Sequence, residues 1–423
     1  MGLTVADLKG QTVAMLVSGG LDSCTITKWL SLQGVRVYCF TADLGQPDEP
    51  DLEVVRQRML ACGAADAFII DAKPEIARAG MKVVQYHARY EGGYFNTTGI
   101  ARHITVKKLL PEIIKMGIHI FGHGATGRGN DQVRFELAPN MLFPEISVFA
   151  PWRKSIFIKE LGGRKEMIHF CREVHNLPIV ATLEKPYSTD PNMLGLTHEA
   201  GELEKLTTPA YFVEPGMGVY PWNASDKSEY VTIVFENGIP VKLVINGNEI
   251  SSNDLVTIVQ KANEVGGRNS IHIGLHVVEN RFVGIKSRGV YEAPGLEILD
   301  KCFQFLLQTI LDRRARRFYD EISVRLAEQI YQGYWFDPAS QMLRAALNPI
   351  LKLVSGTVTV RLYKGNIFFT SITDVPHSLY SEINSSMEKI GSFNHEDSEG
   401  FLHVLSVSAK ALSTAGQIDI EEE

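Results

Sequence analysis

Cysteine is scarce: five residues (Cys24, Cys39, Cys62, Cys171 and Cys302) are scattered over 423 positions with no CxxC pair. That spacing excludes a zinc knuckle and a disulfide framework, and in a cytosolic chain it predicts reduced thiols. Basic charge is not in excess either, since 42 Lys and Arg against 49 Asp and Glu leave a net charge of -7. An extended nucleic-acid surface is therefore not expected, although a local site for a small anion needs no global positive charge. No window approaches the roughly 18 apolar residues of a membrane span, and "MGLTVADLKGQ" opens without a cationic segment and apolar core, so a cytoplasmic protein with no membrane partner is expected. The opening "MG" carries Ala6 where a myristoylation signal needs Ser or Thr. The acidic end "IDIEEE" reads as a solvated terminus, and no internal repeat or low-complexity tract is found.

The length and a hydrophobic content of 45% support two or three globular units. In the first third, short apolar runs at 13–17, 36–40, 67–71 and 118–121 predict buried strands. Helical spacing of Ile26, Trp29 and Leu30, then of Leu52, Val55 and Met59, fills the gaps, and a further helix is expected over 102–117. Strand and helix alternating in this way predict an α/β fold with a doubly wound parallel sheet over 1–171. From about residue 172 the rhythm changes. Asn237-Gly238 and the "TVTVRLYKGNIFFTSI" segment mark hairpins, and long helical patterns run over about 252–266 and 297–332. An α+β unit over 172–372 and a C-terminal helical tail over 373–423 follow.

Ligands of such a sheet sit beyond the carboxyl ends of its strands, where helix N-termini offer free N–H groups. Ser18-Gly19-Gly20-Leu21-Asp22-Ser23 occupies one such place. Its glycines admit close backbone approach to phosphate oxygens, although two glycines also suit a plain tight turn capped by Asp22 or Ser23. The loop has neither the lysine of a GxxxxGK[ST] loop nor a GxGxxG fingerprint, which disfavours transfer of a γ-phosphoryl group. The second strand end carries "TADLGQ" with Ala42. The fourth carries "GHGATGRGNDQVRFE", in which Asn130 and Arg134 stand four apart. A helical turn aims both the same way, an amide and a guanidinium fork suited to an amino-acid carboxylate.

The SGGLDS loop after a strand resembles the pyrophosphatase loop of the N-type ATP pyrophosphatases. Together with "GHGATGRGNDQVRFE", "YSTDPNMLGLTHEAGELE", "VENRFVGIKSRGVYEAPG" and "YQGYWFDP" it resembles the argininosuccinate synthase family, in the same order and as far as about residue 340. The resemblance implies a ligase that joins citrulline and aspartate at the expense of ATP, with AMP and pyrophosphate released through a citrullyl-adenylate, Mg²⁺ on the phosphates and a homotetrameric assembly. It implies that Ser18, Gly19, Gly20, Leu21, Asp22, Ser23, Ala42, Gly124, Thr126, Asp131 and Asp190 contact ATP. Citrulline would meet Tyr94, Asn130, Arg134, Ser188, Thr197, Glu199, Glu279 and Tyr291, and aspartate would meet Thr98, Thr126, Asn130 and Asp131. No side chain is an obvious nucleophile and none is implied as a metal ligand, so catalysis would rest on positioning and charge stabilisation. Cys24 stands where the family has a serine, Gly99 where some members have one, and the 266–281 segment is one residue longer than the family pattern, with His276 near its usual aspartate. A relative that adenylates another ureido or amide substrate, and a nucleotide-binding protein without turnover, are the alternatives. A tRNA thiolase would need a reactive cysteine pair and a basic surface, which the sequence lacks.

Overall fold

The computed structural model describes residues 3–49, 51–179, 187–388, 390–392 and 394–419; the "MG" start and the last four residues of the acidic end lie outside them. Five parallel strands form the first sheet: β1 (Thr12–Leu16), β2 (Arg36–Asp43), β3 (Asp66–Asp71), β4 (Ile120–His123) and β5 (Ser147–Phe149). Their order is β3-β2-β1-β4-β5. Both faces are covered. Val13, Met15 and Cys39 pack with Trp29, Met59 and Phe157 on one side, while Ala14, Phe40 and Phe121 pack with Ile76, Ile100 and Leu109 on the other. This burial on two faces is why β1 reads as an unbroken apolar run rather than an alternating one. The doubly wound sheet is thus present as expected. β5 was not foreseen, because three residues leave too short a pattern to detect.

The order reverses between β2-β1 and β4-β5, so the loops after β1 and β4 leave the sheet side by side at the switch point. The helix expected at 102–117 begins earlier and runs Thr97–Lys115. Asn96 turns into it at φ 54°, its amide donating to the carbonyls of Ala88 and Ala327.

Two antiparallel sheets follow. One has β8 (Glu229–Glu236), β9 (Ile239–Ile245), β10 (Asn248–Ser252), β13 (Gly356–Tyr363) and β14 (Asn366–Thr373), in the order β10-β9-β8-β13-β14. Both expected hairpins are here, with Asn237 and Gly238, then Lys364 and Gly365, at positive φ. The other comprises β6 (Ser188–Asn192), β7 (Gly195–Glu199), β11 (Leu275–Asn280) and β12 (Lys286–Glu292), ordered β11-β12-β7-β6. Nothing in the sequence pattern announced this sheet, because Pro191 and polar residues mask its alternation. The pattern over 297–332 resolves into two helices, Pro294–Ile310 and Arg313–Gln332; the second restarts at Asp312, whose carboxylate accepts from the Ala315 N–H. By internal contacts the chain divides into Met1–His377 and Ser378–Glu423. The second unit holds the helix His395–Thr414.

Candidate active site

Val17 and Ser18 lead from β1 into the helix Leu21–Leu32, which opens on Gly20 without a side-chain cap. Asp22 is not a cap: its carboxylate accepts from the Trp152 indole N–H at 3.0 Å, and burial raises its pKa. Ser23 turns back instead, its Oγ accepting from the Ser18 N–H at 3.0 Å. Gly19 sits at φ 78°, and a Cβ there would lie 2.8 Å from Val55. Its carbonyl is drawn inward by Arg58 Nη1 at 2.9 Å and by the Cys24 thiol at 3.7 Å. The turn is therefore held from beneath by its carbonyl, and the uncapped end of the helix lies at its mouth. Cys24 is fully buried. A serine there would meet the Gly19 carbonyl rather than a phosphate, so the sequence difference at Cys24 does not subtract a donor from the loop's open side.

The loop after β4 lies alongside. A Cβ on Gly124 would stand 3.9 Å from the Asp22 Cβ and 3.2 Å from Ile26. The Thr126 side chain is exposed on this loop, and Asn130 opens the helix Asp131–Leu142, where Asp131 and Arg134 share one face. Asn130 Oδ1 accepts from the Phe282 N–H at 2.9 Å. Ala42, at the end of β2, is buried, its carbonyl accepting from Gln46.

The short sheet supplies the opposite wall. Register puts Thr197 against both Asp190 and Tyr291, and Glu199 against both Ser188 and Gly289. Leu275 pairs with Tyr291, and Glu279 lies four residues along from Leu275. Alternation then sends Ser188, Asp190, Thr197, Glu199, Glu279 and Tyr291 to the same face. Gly195 allows this face to come close: a Cβ there would stand 2.5 Å from the Glu292 carbonyl and 2.8 Å from Thr97. The Thr98 and Thr197 hydroxyls meet at 3.1 Å. Tyr94 stacks on Tyr291 with ring centres 4.1 Å apart, and its hydroxyl accepts from the Thr98 N–H. Tyr291 donates to Glu279 Oε1 at 2.7 Å, and burial with the neighbouring Glu279 charge pushes its phenol pKa well up. Glu279 lies in this wall, whereas His276 lies on the other face and is exposed. Ser188 is the outlying member, exposed at the start of β6.

Charge is balanced locally. Arg102 Nε donates to Asp131 Oδ2 at 2.9 Å and Nη2 pairs with Asp190. Arg134 Nη1 donates to Asp131 Oδ1 at 2.9 Å. Burial works to raise the Asp131 pKa, but the two arginines outweigh it and hold the carboxyl low. Arg134 is almost fully buried. Contrary to a free fork awaiting a carboxylate, Nε and Nη2 both donate to the Tyr331 carbonyl, at 3.0 and 2.7 Å. That carbonyl belongs to the last turn of the helix Arg313–Gln332, where backbone acceptors lack helical partners. Gly99 makes room for it: a Cβ there would come within 3.3 Å of Arg134 Nη2.

One matching family model, described as the Arginosuccinate synthase N-terminal HUP domain, covers residues 12–178. A second, the Arginosuccinate synthase C-terminal domain, covers 187–412. The chain belongs to the argininosuccinate synthase family. An argininosuccinate synthase of Rhodopirellula baltica is 40% identical over 402 residues, which is 95% of this chain and 97% of the relative. That of Caldanaerobacter subterraneus is 38% identical over 424 residues, 98% of this chain and 99% of the relative. That of Thermotoga sp. strain RQ2 is 37% identical over 406 residues, covering 95% and 97%.

Several residues of this argininosuccinate synthase family member's site were not singled out from its sequence. Arg102 is one; it stands one helical turn after Thr98, and that spacing was the available signal. Arg281, pairing with Glu199 at 3.0 Å, is another. Tyr331 is the third: its ring stacks on Tyr90 at 3.7 Å, and its hydroxyl faces Glu279 and Asn130.

Proposed function

We propose that the chain condenses L-citrulline with L-aspartate to argininosuccinate, a step of arginine biosynthesis, while ATP goes to AMP and pyrophosphate. The observation that carries this is the meeting of three parts at one sheet switch point: an uncapped helix end on a glycine turn, an Asn130–Asp131–Arg134 helix, and the one-sided row of Ser188, Asp190, Thr197, Glu199, Glu279 and Tyr291. ATP phosphates would lie on the 18–23 loop, with Ala42 and Gly124 beside the nucleotide. Thr126, Asp131 and Asp190 would approach it from the facing elements.

Citrulline would occupy the Tyr94–Tyr291 wall, with its ureido group toward Glu279 and Thr197 and its carboxylate toward Arg134 and Asn130. Its ureido oxygen attacks the α-phosphorus and pyrophosphate leaves; the aspartate amine then adds to the activated carbon and displaces AMP. Thr98, Thr126, Asn130 and Asp131 would seat the aspartate. The protein's own part is placement and electrostatic support, since an amine and an adenylate held in contact need no enzyme nucleophile.

Among the described residues no group of three or more His, Cys, Asp or Glu is placed to hold a metal ion. Mg²⁺, where it accompanies ATP, would be held chiefly by the nucleotide's own phosphates and would supply charge neutralisation there. Self-association, for which a homotetramer is our reading, is supported by the helix His395–Thr414, which leaves Phe401, Leu402, Val404 and Val407 exposed. Cytoplasmic location agrees with the five free, buried thiols.

A product assay tests the central claim. Incubation with ATP, citrulline and aspartate is expected to yield AMP, pyrophosphate and argininosuccinate in equal amounts. AMP formed with another ureido compound but not with citrulline would point to the related ligase instead.

A further inference from the structure

Arg102 joins three elements. It stands on the helix Thr97–Lys115, donates to Asp131 on the helix that follows β4, and pairs with Asp190 on β6. Its guanidinium also lies 5.7 Å from the centre of the Phe135 ring. We propose that Arg102 is a positioning residue that keeps Asp131 and Asp190 side by side as two carboxylates, so that Asp131 can accept from the aspartate ammonium while Asp190 serves the nucleotide. This rests on the assignment of the site given above.

Two neighbouring carboxylates in a partly buried cleft resist joint ionisation, and one of them takes a proton unless a cation lies between. A planar fork meets both at once, whereas an ammonium is a single point of charge. The directions agree with this. Burial raises the Asp190 pKa, and the Asp131 charge adds to that rise despite Arg102, while Asp131, with a second arginine, is held low. The other titratable groups facing the cluster are Arg134, Tyr94, His103, His123 and Glu199. Both histidines are buried neutral, their pKa values pushed down to about 3, and cannot stand in for the missing cation near neutrality.

The test measures kcat and KM for each substrate across pH for the wild type, Arg102→Gln, Arg102→Lys and the double variant Arg102→Gln/Asp190→Asn. Arg102→Gln is expected to lower kcat/KM for aspartate about tenfold or more, with citrulline KM changed about twofold or less. Its acid limb should move to higher pH. Arg102→Lys should return the acid limb but not the aspartate KM, and the double variant should return the limb by removing one carboxylate. An acid limb that superimposes on the wild type, or equal losses for all three substrates together with a lower melting temperature, overturns the proposal. If Arg102→Gln does not fold, Arg102→Lys decides, because an unchanged aspartate KM there overturns it. Wild-type protein that forms no AMP from citrulline and aspartate overturns the functional assignment and this inference together, whereas wild-type turnover with an unshifted limb removes only this inference.

Discussion

Arg134 has two employments, and each predicts a different loss. Its buried fork closes the end of the helix Arg313–Gln332 through the Tyr331 carbonyl, and by the proposed function it must also receive a substrate carboxylate. Arg134→Lys is expected to raise the citrulline KM about tenfold or more, since a point charge replaces the fork. Thermal denaturation without substrate should show a further loss of about 1–3 kcal/mol from the uncovered carbonyl. Unchanged citrulline kinetics beside a lowered melting temperature would leave only the helix-closing role. Tyr291→Phe removes the donor to buried Glu279 Oε1, leaving Ser287 at 3.3 Å as the partner of that oxygen. Citrulline binding is expected to weaken by about tenfold, measured as KM, with ATP-dependent steps less affected.

At the scale of an element, the helix Leu21–Leu32 begins without a side-chain cap. Asp22→Ala removes no cap but leaves the Trp152 indole N–H without its acceptor, so melting of the ATP-free protein should fall by about 1–3 kcal/mol, while ATP utilisation falls further than that loss explains. ATP utilisation lowered no further than that loss explains would return Asp22 to a purely structural part. Gly19→Ala is the companion change. It places a methyl group 2.8 Å from Val55 at a φ of 78°, and both stability and ATP use should fall, by about 1–3 kcal/mol in the melt. The short sheet shows how an element is hidden. Its site row lies on four strands in two pairs, β6 with β7 and β11 with β12, that stand far apart in the chain, and no window of sequence contains the face that Thr197 shares with Tyr291.

For the whole molecule, pH is the simplest probe. His103 and His123 are buried, and desolvation holds both pKa values near 3 in the folded state. The unfolded chain binds these protons at about 6.5, so acidification favours unfolding once pH drops below that value and continues to do so toward 3. Stability is expected to fall on acidification with a slope of up to about 1.4 kcal/mol per pH unit for each group. His103→Gln, which keeps a donor for the Ile330 carbonyl, should flatten that slope; denaturant melts at several pH values measure it. Removal of residues 378–423 should reduce the assembled mass in light scattering if the exposed apolar side chains of His395–Thr414 are covered by other copies.

The sequence by itself determined the parallel sheet, its glycine turn, both hairpins and the polar loops that carry Asn130, Asp131 and Arg134. Those features are local: a period of two or 3.6, a turn that needs positive φ, a missing Walker lysine. Tertiary structure alone decided that Cys24 faces the underside of the turn, that Arg134 is already engaged by Tyr331, and that Arg102 stands between two carboxylates. Each depends on which way a side chain points once distant segments have packed. Hydrogen-bond partners separated by 88 residues, as Arg102 and Asp190 are, are chosen by sheet register and helix docking, which no local pattern encodes.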